Sequence, residues 1–426
     1  MSEIINSVIP LPTSDFNITV REPQKILLSN NIPVYYIDAG TQDIIRLEIF
    51  FDAGIIRQQK PFQALLTNMM LMEGTKNRTG AQISEDVDFY GGYLSVDYAK
   101  DFSNITLHIL NKYFEKALLV LQDILLNSVF PEDELDKLIK NERSAYVVDS
   151  EKVGYLAQKK LNEVLYNGHP YGVHSEVSDF NKISRNDVAD FYKQYNLSSA
   201  TITLAGNIKE RELKLVDKYL GEIKFDQQKK NDLPRNFKAL YGNHFVEKKD
   251  ALQSAIKIGG HLPMKGSDDF FGLLILNTIL GGYFGSRLMN NLREDKGWTY
   301  GISSYIESAV VSSSFIVSTE VKGDITQKAI TEIFKEMDKL AQEPVANFEL
   351  DKVRTYMLGK FLKNLDGPFE LSDRFWGIHQ FGLDYDYYQK YLATIKGISA
   401  QELQNLAQKY FIREKLVSLS VGSKEE

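Results

Sequence analysis

The sequence predicts an α+β fold made of two homologous tandem domains, each a largely antiparallel sheet with helices packed on one face. The first observation is an internal repeat. Glu-Leu-Asp-Lys at positions 134–137 recurs at 349–352, and Ile183-Ser184 recurs as Ile398-Ser399, both at an offset of 215 residues. The second is that each copy then passes from a helix-period pattern into an alternating apolar strand. A period this long exceeds that of solenoid repeats and indicates a duplicated domain.

A polar segment separates the two copies. Positions 224–235 are rich in lysine, aspartate and glutamine and include Pro234, which is typical of a surface linker. We therefore predict an N-terminal domain over residues 1–226 and a C-terminal domain over residues 236–426.

The first half begins with strands and continues into helices. Apolar patterns predict strands at 34–37 and 45–52, followed by a buried helix at 62–72. Alternation returns at 93–110, and an amphipathic helix is predicted at 114–126.

The second half has the same rough order. A strand is predicted at 254–258 and a helix at 271–280. Two further strands, at 300–307 and 312–320, precede a helix at 326–340. Strand pairs followed by helices in both halves are the pattern of α+β domains.

Composition excludes several functional classes. The 426 residues are 43% hydrophobic and 25% charged, as in ordinary globular proteins. A net charge of −7 argues against nucleic-acid binding, which needs a dense basic patch. The chain has no cysteine, so disulfides, thiolate zinc sites and cysteine nucleophiles are excluded. The sequence shows no secretory signal pattern and no apolar run near the ~20 residues of a membrane span, so we expect a cytoplasmic protein without membrane contact.

A series of short motifs runs through both halves. In chain order they are DAG at 52–54, LLTNMMLMEGT at 65–75, GG at 91–92, HPYG at 169–172, LAGN at 204–207, LGG at 280–282, SRL at 286–288 and LREDKGWTY at 292–300. In this order they resemble the insulinase and mitochondrial-processing-peptidase (pitrilysin) superfamily of zinc metallopeptidases over nearly the whole chain. The resemblance implies the processing-peptidase fold, with two duplicated domains.

The resemblance also implies a zinc site, and this chain departs from it. Active relatives carry H-x-x-E-H on a helix, where two histidines bind zinc, the glutamate is the general base and a later glutamate is the third ligand. Here the corresponding positions fall on Leu65, Asn68 and Met69, with the later ligand near Ser144. Leucine cannot bind zinc, a methionine thioether is too soft for it, and asparagine takes no proton at neutral pH. We therefore expect no zinc and no other cofactor in this chain.

A second signal is the pair Arg293 and Tyr300. In two-chain relatives, the subunit without zinc carries an arginine and a tyrosine at this place, and both reach toward the partner's metal. A tyrosine hydroxyl can donate to the carbonyl oxygen on which charge develops, and an arginine fork can hold a substrate carbonyl or carboxylate. Two ordinary alternatives stay open. Arg293 could pair with Glu294 or Asp295 at a helix end, and Tyr300 could be a plain strand residue.

Three further features carry weaker hypotheses. His169 and His174 could form a metal pair or belong to a structured turn. The alternating segment 93–110 could be an exposed edge that binds an extended peptide, or could be only structural. The glycines at 281–285 could suggest a phosphate loop, but they lack the lysine of that motif and favour a close-packed turn.

The leading hypothesis is a non-catalytic subunit of a two-chain zinc metallopeptidase. Arg293 and Tyr300 would contact unfolded peptide substrate, and zinc would be held by a homologous partner that carries H-x-x-E-H. One alternative is a structural or assembly protein without proteolytic activity. Others are a peptide-binding homodimer and an active peptidase with a displaced metal site, for which nothing in the sequence supplies three ligands.

Overall fold

The computed structural model describes residues 18–225 and 232–424. In chain order, its strands are β1 (Gln24–Leu27), β2 (Pro33–Asp38), β3 (Ile44–Phe51), β4 (Tyr93–Tyr98), β5 (Ser103–Leu110), β6 (Thr201–Gly206), β7 (Gly242–Glu247), β8 (Gln253–Leu262), β9 (Ile302–Ala309), β10 (Ser312–Lys322) and β11 (Val417–Gly422).

The helices of the same residues follow. They are α1 (Gln63–Met70), α2 (Gly80–Asp88), α3 (Phe114–Asn127), α4 (Glu132–Asp149), α5 (Val153–Leu165), α6 (Arg185–Tyr192), α7 (Glu210–Val216), α8 (Asp268–Asn277), α9 (Thr326–Gln342), α10 (Asn347–Lys363), α11 (Pro368–His379), α12 (Asp386–Gly397) and α13 (Ala400–Tyr410). Wider π-type turns occupy Asp217–Gly221, Thr278–Gly282 and Met289–Asp295.

The described strands form two sheets with the same internal order. The first runs β1-β2-β6-β3-β5-β4 and the second β7-β11-β8-β10-β9. Without β1, the two orders match strand for strand. Each sheet contains one parallel pair, β2 with β6 and β7 with β11, while the other pairs are antiparallel. The predicted α+β class with largely antiparallel sheets is therefore confirmed.

The sequence repeat marks equivalent helix starts. Ser184 and Ser399 each cap a helix, α6 and α13, by accepting a hydrogen bond from a backbone N–H three residues on. In both caps an acidic side chain, Asp187 or Glu402, accepts from the serine N–H in return. These reciprocal caps satisfy orphan helix donors, which explains why the motif was kept in both copies.

Several predicted element boundaries differ from the structure, and two of the differences matter most. The alternating segment 93–110 is two strands, because the chain reverses where the Ala99 N–H donates to the Phe102 carbonyl at 2.8 Å. The strand predicted from position 300 begins only at Ile302. The predicted domain boundary cannot be followed, because residues 226–231, like the N-terminal 17, lie outside the described residues. The division into 1–226 and 236–426 therefore stays a prediction.

Each sheet is covered on its second face by a helix from the other half. Helix α5 of the first half packs on β8 and β11, with Ala157, Leu161 and Val164 against Val417 and Leu419. Ile256 and Ile258 of β8 contribute instead to the apolar cluster with α8, α9 and α13. Helices were predicted on one face of each sheet only, and the exchanged helix adds a layer on the other face.

Helix α11 makes the reciprocal contact on the first sheet. It packs against β2 and β6. Trp376 stacks on Phe50 with ring centroids 3.8 Å apart, and Phe375 lies 4.5 Å from Tyr35. Helices α5 and α11 start 215 residues apart, at Val153 and Pro368, so they are the same element of the two copies.

A buried carboxylate joins the halves beside the exchanged helices. The Val310 N–H donates to Asp101 at 2.9 Å, and the Tyr171 hydroxyl donates to its other oxygen. Asp101 is 6% exposed, and burial raises the pKa of its carboxyl group. The Lys100 ammonium lies 2.8 Å from Glu307 of the second half. These contacts are polar but shielded from water, so losing one leaves its partner unpaired.

We expect Asp101→Ala to lower the free energy of unfolding by about 2–4 kcal/mol, because it leaves the Val310 N–H and the Tyr171 hydroxyl buried without an acceptor. Urea denaturation followed by circular dichroism measures the change. Asp133→Ala is the matched control, because Asp133 is exposed and its carboxylate lies 3.8 Å from the Lys137 ammonium. Equal stability of the two variants would show that the Asp101 contacts do not hold the halves together.

Candidate functional site

The candidate site begins on α1, at the positions where related peptidases hold zinc. Helix α1 follows Phe62, whose φ of 67° marks a sharp entry into the helix. Leu66 and Met70 are fully buried in the core of the first half. Leu65 and Met69 lie on a half-buried side of the same helix. Spacing of four residues places these two side chains one turn apart on one face.

Asn68 fixes α1 to the edge of the first sheet. Its side-chain amide donates to the Asp97 carbonyl of β4 at 3.1 Å and to the Tyr195 hydroxyl at 3.2 Å. Asn68 is 1% exposed, and burial raises the pKa of Tyr195 to about 12, so the phenol stays protonated and available as a partner. The residue at the general-base position therefore holds the helix against β4.

A cavity of about 330 Å³ opens beside Leu65. Aromatic and apolar side chains form much of its wall, and Lys159 is the one formally charged residue in it. The Lys159 ammonium donates to the Tyr146 hydroxyl at 2.7 Å, and to the Ser175 carbonyl. Among the described residues no carboxylate lines this cavity, so the position of the first zinc histidine faces a space that offers no acidic ligand.

The remaining ligand position is also unsuited to a metal. Ser144 is exposed on α4, and its hydroxyl donates to the Lys140 carbonyl of the same helix at 2.9 Å. Glu151 pairs with Lys248 of the second half, away from α1. In the residues that the structure describes, no group of three histidine, aspartate or glutamate side chains could hold a metal ion. Leu65, Asn68, Met69 and Ser144 do not fit zinc.

The two neighbouring histidines have separate partners. His169 is 2% exposed; its Nδ1 accepts from the Tyr171 N–H at 3.1 Å, so its proton lies on Nε2, which donates to the Pro234 carbonyl at 2.9 Å. Burial lowers the pKa of His169, which keeps it neutral in this role. His174 is exposed and contacts Glu163 and Glu176. This arrangement is that of a structured turn.

Arg293 lies in the second half, on the π-type turn 289–295. Its guanidinium group lies 4.7 Å from the ring centroid of Phe284 and 3.3 Å from the Glu294 carboxylate. The side chain is 34% exposed. The ordinary pairing with Glu294 is thus present, together with a cation–π contact to Phe284 that the sequence analysis did not identify.

Tyr300 projects from a loop whose backbone is tightly held. The Thr319 hydroxyl lies 3.0 Å from the Gly301 carbonyl and 2.9 Å from the Thr299 hydroxyl, either of which can accept its proton. The Thr299 hydroxyl also receives the Gly301 N–H at 3.1 Å. Tyr300 itself is 95% exposed. Its ring therefore contributes almost nothing to the core, while the residues around it are fixed in position.

The glycine-rich segment before this loop is closely packed. A Cβ on Gly281 would come within 2.7 Å of the Ser304 backbone nitrogen of β9. Arg287, which follows the segment, holds Glu349 of α10 through two hydrogen bonds of 2.8 and 2.9 Å. Both observations favour a packed turn over a phosphate loop.

The structure groups the predicted residues into two places. Leu65, Asn68 and Met69 share α1, and Ser144 lies on α4, which packs against it. Arg293 and Tyr300 flank the 296–299 turn of the second half. None of the helices in the described ranges, 18–225 and 232–424, has the length and apolar character of a membrane span.

Comparison with known proteins identifies the family. The family model described as Insulinase (Peptidase family M16) matches residues 34–176, and that described as Peptidase M16 inactive domain matches residues 182–357. Together they cover most of residues 34–357, and the second match begins within the first half. The chain belongs to the M16 peptidase family and is a homologue of its inactive type.

Several relatives span most of this chain. YmxG of Bacillus subtilis (strain 168), named an uncharacterized zinc protease, is 25% identical over 305 residues, or 70% of this chain and 73% of that protein. A protein named Non-peptidase homolog YmxG, from Helicobacter pylori (strain ATCC 700392 / 26695), is 25% identical over 354 residues, or 80% of each chain. The names of these relatives thus include both a protease and a non-peptidase.

Solved structures share the fold. A peptidase M16 inactive domain from Pseudomonas fluorescens superposes with a TM-score of 0.87 at 19% identity, covering 95% of this chain and 98% of that one. A protease from Helicobacter pylori gives a TM-score of 0.86 at 18% identity, covering 94% and 99%. At this level of identity the likeness establishes the architecture only.

We expect Asn68→Ala to lower the free energy of unfolding by about 1–3 kcal/mol, because the Tyr195 hydroxyl loses a buried partner and α1 loses its tie to β4. The backbone amides of β4 should also exchange hydrogen faster in the Asn68→Ala variant than in the wild type. Asn141→Ala on the exposed side of α4 is the control. If Asn68→Ala left both stability and β4 exchange unchanged, the Asn68 hydrogen bonds to Asp97 and Tyr195 would have no energetic role.

Proposed function

We propose that this chain is the non-catalytic subunit of a two-chain zinc metallopeptidase. In this proposal a homologous partner with H-x-x-E-H holds zinc and hydrolyses unfolded peptides. This chain contributes Arg293 and Tyr300, which contact the substrate at the partner's site. Zinc would supply Lewis-acid activation in the partner, whereas the α1 positions of this chain have no ligands to offer.

The observation that carries the proposal is the exposure of Tyr300. A tyrosine that is 95% exposed gains little from burial, yet its loop is held by the hydroxyl groups of Thr299 and Thr319. A rigid loop with a free phenol suits a donor that must meet a substrate oxygen at a fixed place, since preorganised donors lose little on reaction. Within the described residues, the exposure of the ring shows that core packing does not require it.

Arg293 supports the same role. Its planar guanidinium lies over Phe284, which restricts its motion but leaves part of its hydrogen-bonding edge open. The pair with Glu294 is partly exposed, and such pairs contribute at most about 1 kcal/mol. A substrate carbonyl or carboxylate could therefore replace Glu294 at small cost.

A structural or assembly role is the second candidate. The Arg293–Glu294 contact favours it, because an ordinary surface pair needs no substrate. A relative named as a non-peptidase homologue supports it as well. The two candidate functions predict different effects of changing Tyr300 and Arg293. A subunit that contacts substrate needs both residues for the partner's turnover, whereas an assembly protein does not.

The test combines this chain with a homologue that carries H-x-x-E-H, and follows cleavage of a quenched unstructured peptide. We expect activity that needs both chains and is lost on chelation. Tyr300→Phe should lower kcat by about 10²–10³-fold, as for loss of one oxyanion donor, while leaving the complex intact by gel filtration. Arg293→Lys should retain part of the activity that Arg293→Ala loses, because lysine keeps the charge but not the fork.

Tyr113→Phe at the start of α3 is the control, because it removes a hydroxyl outside the proposed site. Full activity of the zinc-bearing chain alone would contradict the divided site. Unchanged turnover in the Tyr300 and Arg293 variants, with activity still dependent on both chains, would favour the assembly role.

A further inference from the structure

The two sheets differ at one edge. In the first sheet, β1 covers the outer side of β2 through four antiparallel pairs, from Gln24 opposite Tyr36 to Leu27 opposite Pro33. In the second sheet, β7 is the equivalent of β2 and is the terminal strand. Among the described residues, no strand pairs with the outer side of β7.

The reason lies in the path of the chain before β7. The segment from 232 to 241 takes the place in sequence that β1 has before β2, but it runs along the first half. The Leu240 N–H donates to the Val164 carbonyl at 2.8 Å, and the Lys238 N–H to the Asn167 carbonyl at 3.2 Å. This segment ties the halves together, so it cannot cover β7.

Within the described residues, the backbone of β7 presents unpaired groups outward at alternate positions. The N–H groups of Gly242 and Lys248 donate to β11 or its flanks, at 2.9 and 2.8 Å. In a parallel ladder, residues of one parity bond to the neighbouring strand and the others point away. Asn243, Phe245 and Glu247 therefore direct their N–H and C=O groups to the open edge, and all three are exposed.

This edge lacks the usual protection against pairing. Natural edge strands are commonly blunted by proline, a bulge or central charges. Strand β7 has the sequence Gly-Asn-His-Phe-Val-Glu, keeps a continuous register with β11 and has its one charged side chain, Glu247, at its end. At its centre Phe245 is 50% exposed, and Leu240 and Tyr241 beside the strand are 40% and 42% exposed.

We propose that β7 pairs antiparallel with β7 of a second copy of this chain, across a twofold axis at Phe245. The register follows from the backbone, because the three outward-facing residues are centred on Phe245. Antiparallel pairing then sets Phe245 opposite Phe245 and Asn243 opposite Glu247, and each such pair exchanges both of its N–H···O bonds. The two five-stranded sheets become one continuous sheet.

The side chains are self-complementary in this register. The two phenylalanine rings meet on one face of the sheet, a favourable cross-strand pair. Each Glu247 carboxylate faces an Asn243 amide, a hydrogen-bond donor, so no like charges oppose each other across the pair. A twofold interface requires the same patch on both chains, and this edge meets that condition. The proposal does not depend on Arg293, Tyr300 or a zinc-bearing partner.

The first experiment measures the mass of the full chain by light scattering after gel filtration. We expect twice the 48.6 kDa monomer mass. Phe245→Lys should weaken the dimer by about tenfold in Kd or more, because two lysines then oppose each other. Phe245→Pro should do the same by removing an outward N–H, a change that edge strands tolerate. Phe348→Lys is the matched control, since Phe348 is 78% exposed on α10.

The second experiment tests the register by disulfide formation, for which the cysteine-free chain is an ideal background. Phe245→Cys should cross-link to itself under mild oxidation. Asn243→Cys and Glu247→Cys should each stay largely uncross-linked alone, but should form a heterodimer when mixed, because they oppose each other only across the axis. Phe348→Cys should not cross-link.

The outcomes separate the possibilities. A monomeric wild-type chain, or a dimer that survives Phe245→Lys and Phe245→Pro, would overturn the proposal. If the chain alone is monomeric but Phe245→Lys weakens its binding to a zinc-bearing homologue, the edge is occupied by a different chain and the second-copy proposal is wrong. Cross-linking of Asn243→Cys with itself would exclude the proposed register. None of these results bears on turnover, so this proposal and the proposed function can fail independently.

Discussion

The reciprocal exchange of α5 and α11 is the interaction on which the rest of the structure depends. Each sheet has two apolar faces, and its own half supplies helices for only one of them. Helix α5 buries the second face of β8 and β11, and α11 buries that of β2 and β6. Separating the halves would expose both faces to water, with a loss of about 25 cal/mol of stabilising free energy for each Å² of apolar surface exposed. The hydrogen bonds of Asp101 and His169 contribute less than this packing, and they form where the exchanged helices exclude water.

Packing within the first half explains how α1 keeps its place without zinc ligands. In this half α1 is held by apolar packing of Leu66 and Met70 and by the Asn68 bonds to β4. No metal is needed to fix the helix, and Leu65 faces a cavity whose walls are largely aromatic and apolar. An asparagine suits the buried position better than an unpaired glutamate would, because a buried carboxylate without a partner is costly. The replaced positions have thus become part of the structural support of the site.

Sequence periodicity could predict most elements but not their partners. The patterns at 34–37, 45–52 and 114–126 correspond to β2, β3 and α3, because a half-buried strand or helix records its buried side in its own sequence. The pattern of α5 likewise shows an apolar face, but not that this face lies on the sheet of the other half. The family motif could locate Arg293 and Tyr300, whereas the support of Phe284 beneath Arg293 depends on how two loops meet in space.

Because the two halves are copies of one domain, comparing them separates features that the fold requires from features in which the copies differ. Strand order, parallel pairs and helix caps agree between them, since these features bury the core and satisfy the backbone. They differ at the outer edge of β7, which no strand of the described residues covers. In the first half, β1 covers the outer edge of β2. In the second half, the equivalent segment 232–241 bonds to the first half instead, so it cannot cover β7. The open edge of β7 is thus the structural consequence of joining the halves along residues 232–241.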